Sequence, residues 1–192
     1  MLGMGMTGSW GGVSKGGERE DFLTRMLNRE FGAGRVLLYG VGSALAFPVL
    51  LGEGFDVDGT DVSEDVIAFR RQSAGSRFFH ARDLSGIKDR YDAIISCEVF
   101  EHFHNPRLWI GNMARSLRSG GIMCGTTNFY PGGPIEDSQK IGYMSLNWHV
   151  AYWSEKALAT AVKPYGMEVV LFEMISPGSV KPDRTFSDLF PN

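Results

Sequence analysis

The sequence predicts an α/β domain built on a mostly parallel sheet with helices on both faces. Three observations carry that expectation. Short apolar runs alternate with helical periodicity along most of the chain, and such alternation builds parallel sheets. Runs such as "RVLLYG" (35–40) are continuously apolar, as in strands covered on both faces. A chain of 192 residues, 43% apolar and 21% charged, supplies the core of one domain.

The elements follow in order. Residues 18–31 carry Phe22, Leu23, Met26, Leu27 and Phe31 at helical spacing, and Gly32 and Gly34 stop the helix. The first strand is 35–40. An irregular helix at 44–51 must place Pro48 in its first turn. A strand at 55–63 ends in acids, and Ser63 caps a helix at 63–74. Strands at 76–85 and 91–99 follow. Pro106 opens a helix that runs to Gly120–Gly121. A fifth strand covers 121–128, a helix 154–166 and a sixth strand 167–175. The stretch 129–150 is too long for a simple connection, and such loops are usually lids or binding loops.

Composition excludes several classes. A net charge of −3 advertises no nucleic-acid or acidic-lipid surface, and no apolar run approaches a membrane span. The glycine-rich start has no basic residue before Lys15 and reads as a flexible arm over 1–17, not a secretory signal. Residues 18–192 then form the single domain. Cys97 and Cys124 lie in apolar runs and read as buried thiols of a cytoplasmic protein. A homo-oligomer stays open.

Three features point to a ligand at the carboxyl ends of the strands, where open α/β sheets bind. Gly40-x-Gly42 follows a strand directly. Gly40 permits a sharp turn, and Gly42 permits close backbone approach. Asp61, 21 residues later, ends the second strand, where an acid accepts from ribose hydroxyls. Asp83 ends the third, in reach of an adenine amino group.

The order of glycine turn, Asp61, "ARDLSG", "YDAIISCEVFEHFHNP" and "LRSGGIM" resembles the class I S-adenosylmethionine-dependent methyltransferases over roughly 20–175. "CEVFEH" is most similar to small-molecule enzymes of the ubiquinone-pathway O-methyltransferase type. The resemblance implies a Rossmann-like sheet and S-adenosylmethionine as cofactor. It implies a cofactor site of Tyr39, Gly40, Gly42, Asp61, Val62, Asp83, Leu84, Cys97 and Glu98, and a small-molecule acceptor methylated at oxygen. Three departures stand out. Leu38 occupies the place of an acid that the family carries two residues before its first glycine. Losing that charged hydrogen bond costs about 1.5–3 kcal/mol, roughly ten- to hundredfold in affinity. Ala44 replaces a third glycine. Three prolines after residue 175 leave the family's last, antiparallel strand missing or reduced to a remnant near Phe186.

In "CEVFEH", a helix from Glu98 would set Glu98, Glu101 and His102 on one face. Three readings stay open. Glu98 touches the cofactor region while Glu101–His102 orients the turn. His102 is a general base, for which an imidazole is suited. Or, as the resemblance implies, Glu98, Glu101, His102 and His149 hold a divalent metal. The site carried forward is metal-free, with His102 and His149 catalytic. His104 reads as a loop residue and His80 as a strand histidine. The aromatic residues Phe129, Tyr130, Tyr143, Trp148, Tyr152 and Trp153 suit a flat acceptor. Two alternatives compete: a nicotinamide-dependent oxidoreductase, and a non-catalytic methyltransferase-like binding protein.

Overall fold

The computed structural model describes residues 2–8, 18–130 and 149–173. Seven strands form one sheet: β1 (Leu2–Gly8), β2 (Arg35–Tyr39), β3 (Asp56–Asp61), β4 (Phe78–His80), β5 (Tyr91–Cys97), β6 (Leu117–Thr126) and β7 (Met167–Glu173). Their order is β4-β3-β2-β5-β6-β1-β7, and every pairing among the described strands is parallel. The helices are α1 (Glu18–Phe31), α2 (Ala46–Gly52), α3 (Glu64–Ala74), α4 (Pro106–Ser116) and α5 (Glu155–Val162).

Strand alternation divides the core in two. Val36, Leu38, Ile95 and Cys124 face Leu23 and Leu27 of α1 and Phe47 and Leu50 of α2. Leu37, Tyr39, Ile94 and Met123 face Ile110 and Met113 of α4 and Leu158 and Val162 of α5. β2 is apolar from Val36 to Tyr39 because both of its faces are covered. Pro48 is the third residue of α2, where a missing N–H costs nothing. Ser63 caps α3 by accepting from the Val66 N–H at 3.3 Å. Asn105 caps α4 in the same way, through Leu108 at 3.2 Å.

The α/β class and the helices on both faces stand as expected. Four local expectations change. The flexible-arm reading fails for Leu2–Gly8, which is a strand between β6 and β7. The third strand of the sequence reading shrinks to Phe78–His80, and 81–86 is a 3-10 turn that begins with the Arg82 N–H donating to His80 Nδ1 at 3.0 Å. α4 stops at Ser116 and β6 starts at once. A register jump from Tyr91↔Leu117 to Ala93↔Ile122 sets residues 118–121 against the single residue Asp92, three more than an even ladder holds. The segment from Glu98 is not α-helical: only Phe100–His102 coil, as a 3-10 turn. The expected remnant near Phe186 lies outside the described residues.

Candidate active site

The site is built where β2 gives way to α2. Gly40 adopts φ +75° and donates its N–H to Thr60 O at 2.8 Å. A Cβ on Gly40 would collide with Val99 Cγ2, so glycine is required twice over, for conformation and for space. Gly42 follows at φ +38°. Its N–H donates to Asp61 Oδ2 at 3.1 Å, and Asp61 Oδ1 accepts from the Ser63 N–H at 2.9 Å. Arg70 of α3 donates to Gly42 O through Nε (3.1 Å) and Nη2 (2.8 Å). The turn is thereby tied to β3 and to α3.

A cavity of about 520 Å³ opens at this edge. Tyr39, Gly40, Gly42, Asp61, Val62, Cys97, Glu98 and His102 all line it. Asp83 and Leu84 do not. Asp83 is exposed on the 3-10 turn, and Leu84 is wholly buried in the α4 side of the core. His80 Nε2–H donates to Val62 O at 2.9 Å, bracing the turn after β3. Sequence reasoning missed Ser43, Leu45 and Val99 on the lining and Arg70 behind it. An arginine on an amphipathic helix carries no sign that it will reach a loop carbonyl. Burial and then the charge of Asp61 push the Tyr39 phenol well above its ordinary value, so it stays protonated. Burial likewise raises the Cys124 thiol to about 12, which makes it inert.

Next to the cavity, Glu101, His102 and His149 each offer a ligand atom within 4.8 Å of the others. Glu98, the fourth ligand implied by the resemblance, is not in this group. Glu101 is 1% exposed. Its Oε2 accepts from Thr127 Oγ1 at 3.1 Å, and its Oε1 meets no hydrogen-bond partner among the described residues. The His102 and His149 rings lie 5.0 Å apart, edge to face. His149 does not hang on a free loop. The N–H groups of Val150 and Ala151 both donate to Glu101 O, at 2.9 and 3.0 Å, and Trp153 Nε1 donates to Phe100 O at 2.9 Å. Phe129 bridges Trp153, and Tyr130 N–H donates to Trp153 O at 2.7 Å. Trp153 and Phe129 therefore belong to the core. Tyr152 lies against His149 at 6.4 Å. Tyr143 and Trp148 fall outside the described residues.

Residues 17–171 match the family described as "Methyltransferase domain". The chain belongs to that family. A ubiquinone biosynthesis O-methyltransferase from Cereibacter sphaeroides is 28% identical over 131 residues, covering 59% of this chain and 53% of that protein. The corresponding protein of Dinoroseobacter shibae matches to the same extent. The chain spans about half the length of the curated relatives it matches. Among solved structures, the YcgJ protein of Bacillus subtilis superposes with a TM-score of 0.61 at 18% identity, over 76% of this chain and 68% of that one. An S-adenosylmethionine-dependent methyltransferase from Archaeoglobus fulgidus gives 0.57 at 18% identity, over 77% and 68%. The chain shares the fold of these two structures, and the nicotinamide alternative falls with the family match. Family and fold imply S-adenosylmethionine as the cofactor of the methyltransferase domain. The site fits it: the Gly40 cradle admits no Cβ, Asp61 stands at the end of β3, and the volume suits a ligand of that size.

Proposed function

We propose that the protein transfers a methyl group from S-adenosylmethionine to an oxygen of a small, flat acceptor. His102 carries the reading: it lies on the wall of the cofactor cavity with His149 beside it. The names of the curated relatives support oxygen as the accepting atom. The cofactor supplies a methyl already activated by a sulfonium. The glycine turn and Asp61 hold the nucleoside end, and Cys97 and Glu98 line the wall beyond it. An acceptor hydroxyl on the cavity side meets the His102 imidazole, which takes its proton as the oxygen is methylated. Holding donor and acceptor in line supplies most of the rate. We place the protein in the cytoplasm, because Cys97 and Cys124 form no disulfide with each other; among the described residues no helix is long and apolar enough to cross a membrane.

One observation favours a second reading of the same site. A buried carboxylate oxygen without a partner costs free energy, and among the described residues Glu101 Oε1 is one, beside two imidazoles. Glu101, His102 and His149 would hold a divalent first-row ion, which lowers the pKa of an acceptor hydroxyl. Calorimetry with S-adenosylmethionine and S-adenosylhomocysteine tests the function; binding of neither at millimolar concentration would end it. Zinc or manganese titration into the wild type and Glu101→Gln then separates the two readings. Metal binding that Glu101→Gln abolishes favours the ion. No metal binding, with a methylation rate that survives a strong chelator, leaves His102 as the base.

A further inference from the structure

We propose that Arg70 is a positioning residue for the glycine turn: from outside the cavity, its guanidinium clasps the Gly42 carbonyl and holds the turn in the shape that takes the cofactor. This role rests on the cofactor assignment above. It adds a residue of α3 that does not line the cavity.

The turn needs holding. Gly40, Gly42 and Ala44 adopt positive φ, at +75°, +38° and +52°. Glycine accepts that region and alanine resists it, so Ala44 pulls the turn toward other conformations. Two contacts oppose the pull, and both fall on Gly42. Its N–H donates to Asp61 Oδ2 at 3.1 Å, and its carbonyl accepts from Arg70 Nε at 3.1 Å and Nη2 at 2.8 Å. A glycine peptide rotates at little cost unless both of its ends are held. The C=O and N–H of a trans peptide point in opposite directions. The guanidinium therefore also sets the direction of the Ser43 N–H, away from α3. Ser43 lines the cavity.

The guanidinium is itself held. Its Cζ lies 5.0 Å from the centroid of the Phe69 ring. Phe69 is 61% exposed, more than any other large apolar side chain among the described residues, so core packing does not account for it. A platform for a cation does. A guanidinium can rest its face on a ring while one edge gives two N–H groups to a single carbonyl, and a lysine ammonium cannot do both. Arg71, the next residue of α3, supplies the contrast. Its Nε donates to Phe78 O at 2.8 Å, which ties the helix to β4 and touches no residue of the cavity lining.

Calorimetry with S-adenosylhomocysteine on the full chain, with melting temperatures alongside, compares the wild type with Arg70→Gln, Arg70→Lys and Arg71→Gln. Arg70→Gln is also made in an Ala44→Gly background. Arg70→Gln is expected to weaken binding roughly three- to tenfold, and Arg70→Lys to recover part of that loss. With the strain at residue 44 removed, the same substitution costs about twofold or less. Arg71→Gln lowers the melting temperature and leaves the affinity within about twofold. Amide hydrogen exchange without ligand, read by mass spectrometry, is expected to quicken over residues 40–44 in Arg70→Gln and to stay at the wild-type rate there in Arg71→Gln. Unchanged affinity in Arg70→Gln, or an equal loss in the two arginine variants, overturns the role. So does a loss that is undiminished in the Ala44→Gly background. A wild type that does not bind S-adenosylhomocysteine removes the cofactor assignment instead, and the clasp then stands or falls on the hydrogen exchange of residues 40–44.

Discussion

Ala44 shows how one residue is misread without its dihedral angle. In sequence it is a methyl added where a glycine is expected, a matter of packing. In the structure it sits at φ +52°, 9% exposed, with its N–H turned back to Val41 O and its carbonyl accepting from the Phe47 N–H at 3.1 Å. An L-residue in that region costs about 1–2 kcal/mol, partly offset by the smaller unfolded-state entropy of alanine. Ala44→Gly is therefore expected to stabilise the fold by about 0.5–1 kcal/mol. In a chain of this size that raises the melting temperature by about 1–4 °C. Thermal denaturation followed by circular dichroism checks it, and an unchanged or lower value would show that the methyl is packed favourably enough to offset the strain. Gly40 is the opposite case. Its need for glycine was visible in the strand–Gly-x-Gly pattern, and the structure supplies the second reason, Val99.

At the scale of elements, β1 is the largest departure from the sequence reading. Gly3, Gly5 and Gly8 suppress every propensity signal for a strand. Residues 2–8 nevertheless pair on both sides, with β6 over Gly3–Thr7 and with β7 over Leu2–Gly8. Backbone hydrogen bonding satisfies this segment without help from side-chain preference. The consequence lies in β7, whose only ladder neighbour among the described strands is β1. Deleting residues 1–8 should release β7 as a local unit while the β3-β2-β5 centre stays protected. Hydrogen exchange read by mass spectrometry is expected to show fast exchange over Met167–Glu173 and unchanged protection over Arg35–Tyr39. Equal protection of β7 in the truncated and complete chains would refute this account of β1.

For the molecule as a whole, the two edges of the sheet divide the work. Chemistry gathers at the carboxyl ends, and the amino ends carry an ionic row. Asp58 Oδ2, with its side chain 6% exposed, accepts from Arg35 Nη2 (3.1 Å), Arg90 Nη2 (2.9 Å) and Tyr91 OH (3.0 Å). Asp56 pairs with Arg77 at 2.5 Å, and Asp92 with Arg118 at 2.8 Å. The hydrogen bond from Arg77 holds the Asp56 carboxyl below its ordinary value of 3.8. A folded-state pKa below the unfolded one adds stability above the unfolded value, and that stability is lost as pH falls through the folded value. Asp56→Asn is therefore expected to be less stable than the wild type at neutral pH, with the gap closing below the ordinary value of 3.8. Urea denaturation across that range measures it. A gap that persists undiminished in strong acid would mean that the effect of Asp56 is not one of charge.

By itself the sequence determined the parallel α/β class, the helices on both faces, the glycine turn and the acid at the end of β3. These are local signals, carried by apolar runs, caps and turn residues whose periods differ between strand and helix. It also brought His102 and His149 forward as a pair, through a motif rather than through physics. What it could not determine was which carboxylate joins them. An expected helix from Glu98 put Glu98 and Glu101 on one face. The positive φ at Glu98 instead sends that residue to the cofactor cavity and leaves Glu101 buried beside the imidazoles. Asp83 and Leu84 were placed by register along a strand that ends earlier than expected, so both fall off the cavity wall. The tertiary structure decided these points, and the insertion of β1 with them. Each depends on a backbone turn or a long-range ladder whose energy comes from distant partners, and residue types in a local window do not encode such partners.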